Sequence, residues 1–199
     1  KTIEKIEYLK SITPECQHTD HLIEKIPTFQ KIIDAVELNK EYTLKPNQKL
    51  NIIMFYLCKN GILADQMGMG KTLSVFGLFM AVKNLTKYKK MIYITRVDLI
   101  DNVFHDISKM VPTLNLFRYN GYMSKKKKKE FESLDWDVLI INLEKFRTMG
   151  QELYNIFSEL CNQESLAVVA VDECTSLKTS WDGSMSNMTE SFMKCIKSF

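Results

Sequence analysis

Glycine and proline are scarce, with seven and four respectively in 199 residues. That scarcity excludes a flexible linker, a proline-rich spacer or a collagen-like repeat as the main content of the chain. No internal period of repeat-protein length is present. No apolar run reaches the roughly 18 residues that suggest a membrane span. Residues 1–10 mix charges with apolar side chains and so do not build a signal-peptide core. The expectation is a chain with no membrane partner that works inside the cell, in the cytoplasm or, in a eukaryotic host, the nucleus. The five cysteines, Cys16, Cys58, Cys161, Cys174 and Cys195, include no CxxC pair. Their odd number speaks against a closed disulfide framework. Cys16, His18 and His21 are ligand-type residues without a matching pair downstream, and read as a polar turn. A net charge of +3 permits a polyanionic partner without demanding one.

What is present is an ordinary globular composition, 45% hydrophobic and 26% charged. Up to Thr43 the apolar residues Ile23, Ile26, Phe29, Ile32, Ile33 and Val36 fall near helical spacing, punctuated by Pro14 and Pro27. Residues 1–43 therefore read as a short helical extension. From Leu44 onward, short apolar runs alternate with longer helical segments, the pattern of an α/β domain over 44–199 whose mostly parallel sheet carries helices on both faces. Strands are expected at 61–64, 91–95, 114–119, 138–142 and 167–171. Helices are expected at 48–60, 70–85, 99–110, 124–134 and 143–161. In such a sheet ligands sit at the carboxyl ends of the strands.

Two motifs fall on that edge. Ala64-Asp65-Gln66-Met67-Gly68-Met69-Gly70-Lys71-Thr72 fits the phosphate-loop pattern, with Ala64 in place of its first glycine. Gly68 and Gly70 remove side chains where backbone N–H groups must curl around phosphate oxygens, and the following helix aims its positive end at the same anion. Lys71 is expected on the β- and γ-phosphates and Thr72 on a magnesium ion. The second motif is the apolar run Val168-Val169-Ala170-Val171 ending in Asp172-Glu173. Asp172 is expected to hold the magnesium and Glu173 to polarise the attacking water, making Lys71, Asp172 and Glu173 the catalytic set. Alone this motif would describe any buried strand with an acidic turn; behind a phosphate loop it becomes chemistry.

Together with Leu44-Lys45-Pro46-Asn47-Gln48 and Tyr119-Asn120-Gly121, these motifs occur in the order and at the spacings of superfamily-two helicases. The chain resembles most closely the Swi/Snf-type DNA translocases, over about residues 44–178. The resemblance implies a RecA-like P-loop lobe, ATP and Mg2+ as cofactors, an adenine-reading role for Gln48, and nucleotide contacts along residues 65–72. It further implies an ATPase coupled to movement on DNA, with duplex DNA as partner. Met91–Val103 looks like the family's second block, and 137–142 with Glu144 like its third, both on the DNA side. Several positions depart from the pattern: Gln66 replaces Glu, Arg96 replaces Pro, Val103 replaces Trp, and Cys174-Thr175 stands where Ala-His is usual. In the family that histidine couples hydrolysis to a partner lobe. The departures, with a composition rich in Lys, Asn and Ile, suit a divergent member from an AT-rich genome such as that of a virus or phage.

No segment matches a second RecA-like lobe, so the chain is expected to bind ATP but turn it over slowly. A parent chain or partner protein would complete the site, since an arginine finger contributes roughly a thousandfold or more. The alternative is a nucleotide-binding interaction module without motor activity. A P-loop kinase or GTPase-like switch fits the Gln48 position and the Lys71–Asp172 spacing less well. The run Lys125–Lys129 reads first as a solvated helix face and second as a phosphate-contacting patch. The nearby Phe117, Tyr119, Tyr122 and Phe131 read as packing residues.

Overall fold

Runs rich in β-branched and other apolar side chains form β1 (Lys90–Thr95), β2 (Leu116–Tyr119), β3 (Val138–Asn142) and β4 (Leu166–Val171). The computed structural model describes residues 25–119, 124–172 and 186–196. All pairings are parallel and the spatial order is β2-β3-β1-β4. The register aligns Thr95 with Asn142, Ile94 with Val171 and Tyr119 with Ile141, so the four carboxyl ends share one edge.

Because side chains alternate across a strand, each central strand feeds two cores. Ile92, Ile94, Leu139 and Ile141 join one cluster with Phe131, Phe157 and Phe192. Met91, Tyr93, Val138 and Ile140 join the other with Phe76, Phe79 and Ile107. The first face is covered by α5 (Lys125–Glu132), α7 (Gly150–Asn162) and α8 (Asn187–Ile196), the second by α3 (Lys71–Leu85) and α4 (Ile100–Met110). Burying each large side chain contributes about 1.5–3 kcal/mol. This is the expected α/β architecture of a RecA-like lobe, a parallel sheet with helices on both faces.

Among the described residues, two helices precede α3. In α1 (Ile26–Asp34) and α2 (Pro46–Cys58) a proline occupies the first turn, where its missing N–H costs nothing. Ile32 of α1 packs with Ile52 of α2 and Ala81 of α3 in a third cluster. Asn39 ties the connection onward, its side chain donating to the Lys109 carbonyl and its N–H to that of Met110.

The structure differs from expectation in three places. Residues 61–64, expected as a strand, make no ladder, so four strands are seen among the described residues where five were expected. The apolar stretch there is short, Ile62 is 83% exposed and Ala64 is exposed, so burial gives the segment no reason to pair. The expected helix at 99–110 opens with a 3-10 turn, Val97–Leu99, before α4. The expected helix at 143–161 divides into α6 (Lys145–Thr148) and α7, with Met149 out of helical geometry between them. A β-carbon on Gly150 would lie 3.1 Å from Ser191 Oγ, so the break brings α8 close against the start of α7.

Candidate nucleotide site

The phosphate-loop segment enters α3 through two glycines that L side chains would strain: Gly68 at φ +81° and Gly70 at φ +77°. Gly70 is the left-handed cap from which α3 starts, so the unpaired N–H groups of the first turn open toward the loop. Lys71 bends back over the loop, its Nζ donating to the carbonyls of Asp65 (2.8 Å) and Gln66 (3.1 Å). Two of its three N–H bonds are thus spent on holding the ammonium across the loop mouth.

Helix α2 braces the loop from behind. Gln48, 3% exposed, accepts from Lys45 N–H at 2.9 Å. Its amide nitrogen donates to the Met69 and Gly70 carbonyls at 3.3 and 3.4 Å. Asn47 reaches the Met69 carbonyl at 3.3 Å, and Asn51, one turn along, donates to Asp65 Oδ2 at 2.6 Å. Met67 is 95% exposed and Gln66 is exposed, so neither side chain is buried by the fold.

The carboxylate motif meets the loop at the sheet edge. Asp172 follows β4, its N–H donating to the Ile94 carbonyl at 2.7 Å. Its Oδ2 accepts from Tyr93 Oη at 3.1 Å and from Thr95 Oγ1 at 3.3 Å. Thr72 is also a neighbour of the Tyr93 hydroxyl. Thr72 and Asp172, from motifs far apart in sequence, therefore flank one phenol. Burial, and after it the Asp172 charge, pushes the Tyr93 pKa well above its ordinary value, so the phenol stays protonated.

Sequence reasoning singled out Gln48, Asp65, Thr72 and Asp172, and these do converge with Gly68, Gly70 and Lys71. It missed Asn51, Tyr93 and Thr95. Asn51 was detectable as a polar residue one turn from Gln48 on the same helix face. Tyr93 and Thr95 were hidden in an apolar run that reads as pure core. Glu173, Asn120, Gly121, Tyr122 and Thr175 lie outside the described residues, as do Cys16, His18 and His21. Phe117, Tyr119 and Phe131 are core residues as expected, with the Phe131 ring centroid 5.7 Å from Phe117 and 6.0 Å from Tyr119. All five lysines of 125–129 are exposed on α5. Among the described residues no helix is long and apolar enough to cross a membrane.

Comparison with known proteins bears on this geometry. The SNF2-related domain matches residues 21–194. A rat SWI/SNF-related matrix-associated actin-dependent regulator of chromatin (subfamily A, containing DEAD/H box 1) is 31% identical over 98 residues, 47% of this chain and 10% of that protein. The Arabidopsis thaliana ATP-dependent DNA helicase DDM1 is 34% identical over 82 residues, 41% of this chain and 11% of that protein. The matched stretch is thus about a tenth of each relative's length. Among solved structures, the Sulfolobus solfataricus SWI2/SNF2 ATPase core in complex with dsDNA aligns with a TM-score of 0.47 at 19% identity, covering 65% of this chain and 31% of that one. With a family match that spans most of its length, the chain belongs to the SNF2-related domain family, the Swi/Snf-type branch of the superfamily-two helicase-like ATPases.

Proposed function

We propose that this chain is the ATP-binding lobe of an ATP-driven DNA translocase, spanning 44–199 with residues 1–43 as an extension. The observation that carries the reading is the convergence of Thr72 and Asp172 on the Tyr93 hydroxyl, beside a glycine-strained loop. Lys71 and the first N–H groups of α3 would bind the β- and γ-phosphates. Residues 65–72 would wrap the phosphate chain, and Gln48 would exchange its two long loop bonds for the adenine edge.

Thr72 and Asp172 present a hydroxyl and a carboxylate, hard oxygen donors that suit magnesium, which commonly keeps several waters and is shared with nucleotide phosphates. When bound there, Mg2+ supplies charge neutralisation on the phosphates during transfer. Asp172 is held for that role by the hydroxyls of Tyr93 and Thr95. Glu173, next in the chain, would orient and polarise the attacking water. Duplex DNA as the track is supported by family membership and by relatives named as DNA helicases. A second lobe, from a longer parent chain or a partner, would supply the arginine that stabilises the transferring phosphoryl group.

The test is ATP turnover by the full-length protein with and without duplex DNA, beside Lys71→Ala and Glu173→Gln. Stimulation by DNA that both substitutions abolish supports the translocase. ATP binding that DNA leaves unchanged would replace it with a nucleotide-binding interaction module.

A further inference from the structure

Tyr93 is the one hydroxyl-bearing residue in the interior of β1, and its position asks for no polarity on packing grounds. It is 2% exposed, with its ring centroid 5.2 Å from that of Phe76, and phenylalanine would fill the same space. A buried phenol is costly unless its hydroxyl is satisfied. Here the hydroxyl is satisfied by a group on which the nucleotide site depends, Asp172, with Thr72 as a neighbour.

The direction of these bonds follows from the donors available. An ionised carboxylate can only accept, so Tyr93 donates its single proton to Asp172 Oδ2. Thr95 directs a second hydroxyl to the same Oδ2. One consequence follows. On Asp172 both hydroxyls take Oδ2, and Oδ1 has no hydrogen-bond partner among the described residues.

We infer that Tyr93 is a positioning residue that sets the magnesium requirement of the nucleotide site, by donating its proton to Asp172 Oδ2. Oδ1 is then the oxygen offered to the cation. The inference rests on the nucleotide-site reading above. A strand-end aspartate could be placed by packing alone; the phenol, with Thr95 beside it, fixes which of its oxygens is committed.

The test is equilibrium binding of a fluorescent ADP to the 199-residue chain while magnesium is titrated from chelator to saturation, for wild type and Tyr93→Phe. The expected result is a half-saturating magnesium concentration raised about three- to tenfold in Tyr93→Phe, the worth of one net hydrogen bond. Affinity in chelator should stay unchanged, and melting without nucleotide should fall by no more than the loss of one hydrogen bond. A merely structural role would do the reverse, shifting melting and metal-free affinity together while leaving the magnesium dependence alone, and that overturns the inference. In an Asp172→Asn background, Tyr93→Phe should add nothing to the magnesium effect; an undiminished effect there also overturns it. The two readings fail differently. If wild type binds ADP with a magnesium dependence that Tyr93→Phe shares, the Tyr93 role alone is lost. If wild type binds no ADP, the nucleotide site and the role built on it are both lost.

Discussion

The amide nitrogen of Gln48 occupies the space where a β-carbon on Gly70 would stand. Gly70 therefore carries two constraints, a left-handed φ of +77° and contact with the α2 brace, whereas Gly68 has a similar φ of +81° but nothing within 4 Å of its would-be β-carbon. Gly68→Ala is expected to incur only the left-handed strain, about 1–2 kcal/mol, or about five- to thirtyfold in nucleotide affinity. Gly70→Ala should lose more, since Gln48 must also leave the loop. Nucleotide titrations of the two variants, side by side, check the order; equal losses would remove the steric part of the argument.

Asn51 donates to Asp65 at 2.6 Å, linking α2 to the first residues of the loop. Hydrogen bonds to charged groups contribute about 1.5–3 kcal/mol, and the partial exposure of Asp65 places this one toward the low end. Asn51→Ala should lower the melting temperature and weaken nucleotide binding together. Asn51→Asp should be worse, because it sets two carboxylates at hydrogen-bond distance. Melting curves of both variants decide it.

The order of severity among these substitutions reflects what a sequence can show. Gly68, Gly70, Lys71 and Thr72 were legible because phosphate chemistry restricts residue types at fixed spacing. The strand 138–142 matched to the residue because its β-branched run is buried on both faces. The 61–64 segment was misread since short apolar runs look alike whether or not a neighbour covers them. Met149 and Gly150 broke an expected helix because α8 approaches there, a tertiary fact with no local signal. Tyr93 was invisible for the same reason: its hydroxyl acquires meaning only when Thr72 and Asp172 arrive beside it.

Cys58 is exposed near the end of α2, while Cys195 on α8 is fully buried in the core under the sheet. Burial pushes the Cys195 thiol up to about 11. Thiolate is the reactive form, so iodoacetamide at mildly alkaline pH should modify Cys58 readily and reach Cys195 only when the core opens. Peptide mapping by mass spectrometry over a time course, with and without denaturant, measures this directly. Early labelling of Cys195 would mean that α8 leaves the core in solution.

On α5, Lys128 lies 3.9 Å from Glu132 and 3.8 Å from Glu152, while Lys125, Lys126, Lys127 and Lys129 are exposed with no carboxylate partner among the described residues. The helix is anchored by buried Phe131. Replacing those four lysines by alanine should change stability little, within about 0.5 kcal/mol per exposed site. If the helix contacts the track, duplex binding weakens and the slope of log affinity against log salt falls by about 0.9 for every phosphate contact removed. If the lysines are only a solvated face, affinity at moderate salt and its slope both stay put. Binding titrations over a series of salt concentrations separate the two outcomes, because a general loss of folded protein would lower the amount bound without altering the slope.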